Sequence, residues 1–165
     1  MTSKTRHLTH AAIIAAIYVT LTFAFQPFSF GAIQFRISEA LMLLPVLIPE
    51  AIPGLFIGCL LANLLCGGIW FDVILGSLAT LLAAVAVRKF KNRPAIAAAM
   101  PAVFNGLIVG PVVYFAYVRA PGTAIQASVM LFNMATVAAG EIVVCYVLGL
   151  MLLYTLKKMP LNVIA

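Results

Sequence analysis

Phe35-Arg36-Ile37-Ser38-Glu39-Ala40-Leu41 sets a cation and an anion into a chain that is otherwise oily. On either side of it, long apolar runs follow one another with few charges between them. Of the 165 residues, 65% are hydrophobic and only 8% are charged, and the mean hydropathy is +1.17. A soluble domain is about 45–50% apolar and about 25% charged. The composition therefore describes an all-α integral membrane protein, one domain over residues 1–165, with room for about six spans of roughly 20 residues each. An ionised side chain inside lipid costs upward of about 3 kcal/mol, so it is retained only for a reason. Arg36 and Glu39 are three residues apart, share one helical face and can pair there. Two readings stand: a salt bridge that caps a helix near the interface, or a polar anchor that lines a ligand cavity.

The apolar runs and their breakers predict helices at about 8–25, 36–48, 51–66, 72–87, 94–118 and 124–156. The first carries Ala11, Ala12, Ala15 and Ala16, two pairs of small residues four apart. Such a ridge lets another helix backbone come close, either within this bundle or on a separate membrane protein. The segment from Gln26 to Gln34 holds Phe28 and Phe30 and is too apolar for a solvated loop. It reads as a lid folded over the bundle or as an aromatic belt at the interface. The second helix is short, and Pro45 bends or ends it. Gly54 and Gly58 make a second small-residue ridge on the third. Pro101 and Gly110-Pro111 interrupt the fifth, and broken helices near mid-membrane often frame transport sites.

Charge sets the expected orientation. Of the ten Lys and Arg residues, Arg36 and Arg119 fall at one set of helix ends and the rest at the other. The positive-inside bias then puts both termini in the cytoplasm. The first apolar run lacks a cleavage-type exit and is read as a retained helix. A net charge of +6 does not suggest nucleic acid here, because no basic patch is interleaved with aromatics. Cys59, Cys66 and Cys145 lie in apolar segments and read as packing thiols, not metal ligands. Both histidines, His7 and His10, sit on the N-terminal arm, so no Ser-His or Cys-His pair can form within the membrane. No phosphate-binding loop of the G-x-x-x-x-G-K-[ST] kind exists. The expectation is a protein that is not an enzyme and needs no metal or cofactor of its own.

The remaining polar residues in the spans are the candidates for function. Glu39, Asp72 and Glu141 offer carboxylates, and Asn63, Asn105 and Asn133 offer amides. Each has a plainer alternative. Asp72 suits a helix cap, the asparagines suit bonds between helices, and Glu141 suits a structural pair or a partner contact. Phe35, Trp70, Tyr114 and Tyr117 offer flat aromatic faces. The candidate ligand-binding set is Phe35, Arg36, Glu39, Asn63, Trp70, Asp72, Asn105, Tyr114, Asn133 and Glu141. Such groups suit a planar, hydrogen-bonding, cationic solute.

Several runs resemble the QueT family: Ile33-Gln34-Phe35-Arg36-Ile37-Ser38-Glu39-Ala40-Leu41, Leu44-Pro45, Ala51-Ile52-Pro53-Gly54-Leu55, Gly58-Cys59-Leu60-Leu61-Ala62-Asn63, the run from Asp72 to Leu81, and Gly140-Glu141. The resemblance implies the substrate-binding S component of an energy-coupling factor (ECF) transporter, a six-helix bundle in the plasma membrane. It implies capture, near the outer face, of a queuosine precursor, a 7-deazaguanine base or its relative. ATP would be used by separate ATPase subunits, coupled through a transmembrane T subunit. Ala12 and Ala16, like Ala11 and Ala15, match the surface by which such components meet the T subunit. Two other readings remain: a solitary proton-coupled carrier with Glu141 as the titrating group, and an S component for another vitamin-like solute.

Overall fold

A computed structural model describes residues 3–29 and 35–159. Within these residues all regular structure is helical. Helix α1 runs Ser3–Ala24, starting before the expected Leu8, and is followed by the short α2, Gln26–Ser29. Of the expected lid or belt, residues 30–34 lie outside the described residues. A 3₁₀ helix spans Ile37–Val46, and α3 spans Ala51–Leu65. A π-helical turn, Asp72–Gly76, leads into α4, Ser77–Lys89. Helix α5, Pro94–Val113, ends in a second π turn, Tyr114–Val118. Helix α6, Ala127–Val143, passes through a third, Val144–Gly149, into α7, Leu150–Lys157.

Three of these rods are long and apolar enough to cross a membrane: Lys4–Ala24, Pro94–Val118 and Ala127–Lys157. Their outward faces carry the apolar side chains expected against lipid, among them Ile13, Leu107, Leu131, Phe132, Val147 and Met151. The protein is a helical membrane protein in which the 3₁₀ helix is the central post. Helices α1, α3, α4, α5 and α7 pack against it, as does the π turn Val144–Gly149. Ser38 to Leu43, Pro45 and Val46 are buried.

The second element was expected as an α-helix over 36–48 and is wound as a 3₁₀ helix instead. Its ladder is i→i−3 at both ends: Glu39 N–H donates to Arg36 O at 3.1 Å, and Leu47 N–H to Leu44 O at 2.9 Å. At about 2.0 Å per residue, ten residues reach about 20 Å, where an α-helix of that length reaches about 15 Å. Its last carbonyls, left over by the helix end, are taken by Arg88, which donates to Pro45 O at 2.9 Å and Val46 O at 3.2 Å. Three-residue winding stacks Arg36, Glu39, Met42 and Pro45 in one line.

Small residues decide which helices touch. At the α1–α3 crossing, a Cβ on Gly54 would lie 2.7 Å from Ala11 O, and one on Gly58 would lie 3.1 Å from Ala15 Cα. Ala11 and Ala15 are therefore buried inside the bundle, while Ala12 and Ala16 stay on its outer face. The two alanine pairs, equivalent in sequence, have different fates. Helices α5 and α6 meet in the same way, with a Cβ on Gly110 placed 2.6 Å from Met134 Cα.

At the end where the 3₁₀ helix stops, the His7 ring nitrogen Nδ1 meets the Glu50 carboxylate and ties α1 to the turn before α3. Partial burial pushes the Glu50 carboxyl up, but its own backbone N–H and the His7 and His10 rings hold it below the ordinary carboxylate range. A depressed folded value stabilises above the unfolded value of about 4.3 and is lost as pH falls through the folded one. The His7 side chain is 49% exposed, so the contact contributes no more than about 1 kcal/mol. In Glu50→Gln, hydrogen-exchange protection of α1 before Ala11 should lose its decline between about pH 5 and about pH 3. A decline as steep as in the parent chain would show that this clasp carries no stability.

Candidate functional site

The polar residues of the spans gather on the 3₁₀ helix in two halves. Toward α3 and α4, Arg36 Nη2 pairs with Asp72 Oδ2 at 3.3 Å, and its Nε donates to Ser29 O at 3.2 Å. Asn63 Nδ2 donates to the Asp72 backbone oxygen at 3.1 Å. Cys59 sits between them: its sulfur is 3.9 Å from Arg36 Nη1, 3.5 Å from Asn63 Nδ2 and 3.3 Å from Thr80 Oγ1. Toward α1, α5 and α6, the Tyr18 phenol donates to Glu39 Oε1. Asn105 Nδ2 donates to Glu141 Oε1 at 2.6 Å. Cys145 Sγ lies 3.6 Å from the Glu39 backbone oxygen and 4.0 Å from Glu141 Oε2, joining the two acidic residues.

Local winding aims these groups. The π turn at Asp72–Gly76 holds an extra residue, and Asp72 in it is fully buried and makes no side-chain cap bond. The bland role of helix cap is not the one it takes. The ion pair also differs from the local expectation: Arg36 pairs with Asp72, 36 residues away, and Glu39 goes to Tyr18. Gly76 allows this, since a Cβ there would stand 3.0 Å from Asp72 Oδ1 and 3.2 Å from Asn63 Nδ2.

Four buried oxygens in this core have no hydrogen-bond partner: Glu39 Oε2, Asn63 Oδ1, Asp72 Oδ1 and Asn105 Oδ1. All four are acceptors. Each unsatisfied buried acceptor costs about 1–3 kcal/mol, and a solute that brings donors recovers that cost. What the arrangement can do is receive N–H groups.

Six of the ten candidate residues are brought together: Arg36, Glu39, Asn63, Asp72, Asn105 and Glu141. Phe35, next to Arg36, is half-buried. Three are not brought to the core by the contacts they make. Trp70 points outward and is 73% exposed. Tyr114 is buried, but its hydroxyl accepts from Gln126 N–H at 2.7 Å and so closes the turn before α6. Asn133 donates to Val129 O in its own helix at 2.9 Å. Conversely, Tyr18, Cys59 and Cys145 belong to the network although the sequence reading left them out. The two cysteines were expected only to pack, and each instead sits among hydrogen-bonding groups. Tyr18 had one signal available: it is the only tyrosine in the first span, and a buried phenol needs a partner.

Two hollows lie elsewhere on the described residues. One of about 630 Å³ lies between Phe71, Leu75, Leu107, Pro111 and Phe115. The other, about 440 Å³, lies along α5 and α6 beside Val103, Gly106, Met134 and Ala138. Both are apolar grooves on the outside of the bundle, and none of the core's unpartnered oxygens lines them. Volume and chemistry disagree about the site, and chemistry decides: lipid fills an apolar groove, whereas buried orphan acceptors need a donor.

Against known proteins, the family described as QueT transporter matches residues 8–158. A curated relative, the "Queuosine precursor transporter QueT" of Lactococcus lactis subsp. cremoris (strain MG1363), is 42% identical over 82 residues. That match covers 48% of this chain and 48% of the relative, so the chain spans about half the length of the curated protein it matches. No solved structure matches the chain.

Proposed function

The chain belongs to the QueT transporter family, and from that premise we propose that it is the solute-binding S component of an ECF importer. It stands in the plasma membrane as a six-span bundle with both termini in the cytoplasm. It takes a queuosine precursor, a 7-deazaguanine base or relative, from the outer face into the core around Arg36. It delivers the base inward when docked to a transmembrane T subunit driven by separate ATPases. The observation that carries this reading is the set of four unpartnered acceptors buried in an apolar bundle. The edge of a guanine-like ring carries an N–H and an amino group side by side, the donors such a core lacks. The curated relative is named for a queuosine precursor, which favours this class of base.

Ala12 and Ala16, free on the outer face of α1, offer the flat surface a T-subunit helix would use. Ala11 and Ala15, packed against Gly54 and Gly58, support that surface from within. Two experiments test the reading. In calorimetry or native mass spectrometry, the purified chain should bind 7-deazaguanines over guanine and over a panel of vitamins. Indifference to the whole panel removes the cargo assignment, and preference for a vitamin replaces it. In membranes holding the T subunit and ATPases, Ala16→Trp should abolish uptake while the purified variant binds its base within about twofold of the parent, because exposed substitutions change little on their own. Uptake by the chain without those partners would point to a carrier that works alone, with Glu141 as its proton site.

A further inference from the structure

At one end of the bundle stand two cations, Arg36 and Arg119. Arg36 has Asp72. Arg119 has no acid among the described residues, and the chain has none to spare. Its four acidic residues meet other groups: Glu39 the Tyr18 phenol, Glu50 the His7 ring, Asp72 the Arg36 guanidinium and Glu141 the Asn105 amide. Local winding holds the Arg119 charge in one place. The π turn that ends α5 closes with Arg119 N–H donating to Tyr114 O at 2.8 Å, and the backbone is extended at Arg119 itself. The guanidinium carbon then lies 5.7 Å from the centre of the Phe115 ring. Nε and Nη2 donate to Thr123 O, and Nη1 makes no bond among the described residues.

The ring beneath this charge is a wall of the apolar groove of about 630 Å³. Leu107, Pro111 and Phe115, four residues apart on α5 and its π turn, form one side, and Phe71 and Leu75 form the other. From Leu107 to Phe115 is about 12 Å of helix. One leaflet of a hydrocarbon layer about 30 Å thick is about 15 Å deep. The groove is thus about one leaflet long, apolar throughout, with an unpaired positive charge at one end. Trp70, beside Phe71, is exposed, and an exposed tryptophan suits the level of the headgroups. The other groove, beside Val103, Gly106, Met134 and Ala138, has no charged residue in its walls. We infer that the groove under Arg119 seats one acyl chain of an anionic phospholipid, whose phosphate accepts from Arg119 Nη1. A phospholipid has the matching pattern of charge at one end and hydrocarbon below it, and its negative headgroup supplies the countercharge that the chain does not. The site is separate from the polar core and holds whichever solute that core takes.

The test is fluorescence of the purified full-length chain in nanodiscs of phosphatidylcholine. Trp70 is its single tryptophan, and bromine on an acyl chain quenches an indole at close range. The nanodiscs carry the same small mole fraction of either brominated phosphatidylglycerol or brominated phosphatidylcholine. The brominated phosphatidylglycerol should quench as though enriched about fivefold beside Trp70, as one arginine at the membrane surface implies, and the brominated phosphatidylcholine in proportion to its amount. Arg119→Gln should abolish the enrichment, and Arg93→Gln, at the opposite end of α5, should leave it unchanged. The two-lipid comparison on the parent chain needs no variant to fold. Equal quenching by the two lipids overturns the site; if native mass spectrometry then shows a dimer, the groove belongs to a second copy of the chain. Enrichment that survives in Arg119→Gln also overturns it. So does displacement of the brominated phosphatidylglycerol by millimolar glycerol 3-phosphate, which has the phosphate and no chains. None of these outcomes bears on the proposed cargo.

Discussion

Arg36→Ala should lower the stability of the bundle by about 3–5 kcal/mol and remove measurable binding of a 7-deazaguanine base. The stability loss comes from leaving Asp72, fully buried, with its charge uncompensated. Arg36 also holds Ser29 O and touches Cys59, so its loss loosens the end of α2 and the face of α3 together. The double change Arg36→Met with Asp72→Leu separates structure from function. Replacing a buried ion pair by apolar groups of similar size is often neutral or stabilising by about 1–4 kcal/mol. The double variant should therefore melt near the parent chain, yet bind no base, because Asp72 Oδ1 has gone. Thermal melting in lipid nanodiscs and calorimetry read the two effects. A double variant that binds as the parent does would take the Arg36–Asp72 half out of the site.

Gly58→Leu should be the most damaging substitution outside the polar core. A Cβ at this position falls 2.9 Å from Tyr18 Cβ, 3.1 Å from Ala15 Cα and 3.2 Å from Ala15 O. Two of these three atoms are backbone and cannot turn aside, so α1 must move away from α3. Overpacking of this kind costs about 1–3 kcal/mol and sometimes more. The displacement passes to function through Tyr18, whose phenol holds Glu39. Binding should fall in step with the melting temperature. Gly122→Ala serves as a mild comparison for crowding, because nothing lies within 4 Å of a Cβ there, although its positive φ of 81° adds local strain in the turn. If Gly58→Leu melts and binds as the parent does, α1 and α3 do not touch as described.

What could be read from the chain, and what could not, follows from range. The cost of charge in lipid is local, so Arg36, Glu39, Asp72 and Glu141 stood out as residues without a lipid-side excuse, and the core is built on them. Their partners were not legible. Arg36 has Glu39 three residues away and Asp72 thirty-six away, and sequence spacing favours the near one. The winding of residues 37–46 was equally hidden. When nearly every position is apolar and buried, periods of 3.0 and 3.6 leave no contrast to read. Trp70 and Asn133 looked like site residues because their chemistry suits a ligand. Which way they face depends on the turn before α4 and on a bond within α6, neither of which has a sequence mark. Tyr18, Cys59 and Cys145 were overlooked for the opposite reason, since a phenol or a thiol is unremarkable in an apolar span.

The long rod made by α6 and α7 with the π turn between them carries exposed apolar side chains from Leu131 to Tyr154. At 1.5 Å per residue that stretch is about 35 Å long, against a hydrocarbon layer of about 30 Å. A straight upright rod of that length would push oily surface into the headgroups, a mismatch that tilting, kinking or a locally thicker bilayer relieves. Glu141 lies near the middle of this strut, so a rod that answers the mismatch by tilting carries the carboxylate with it when bilayer thickness changes.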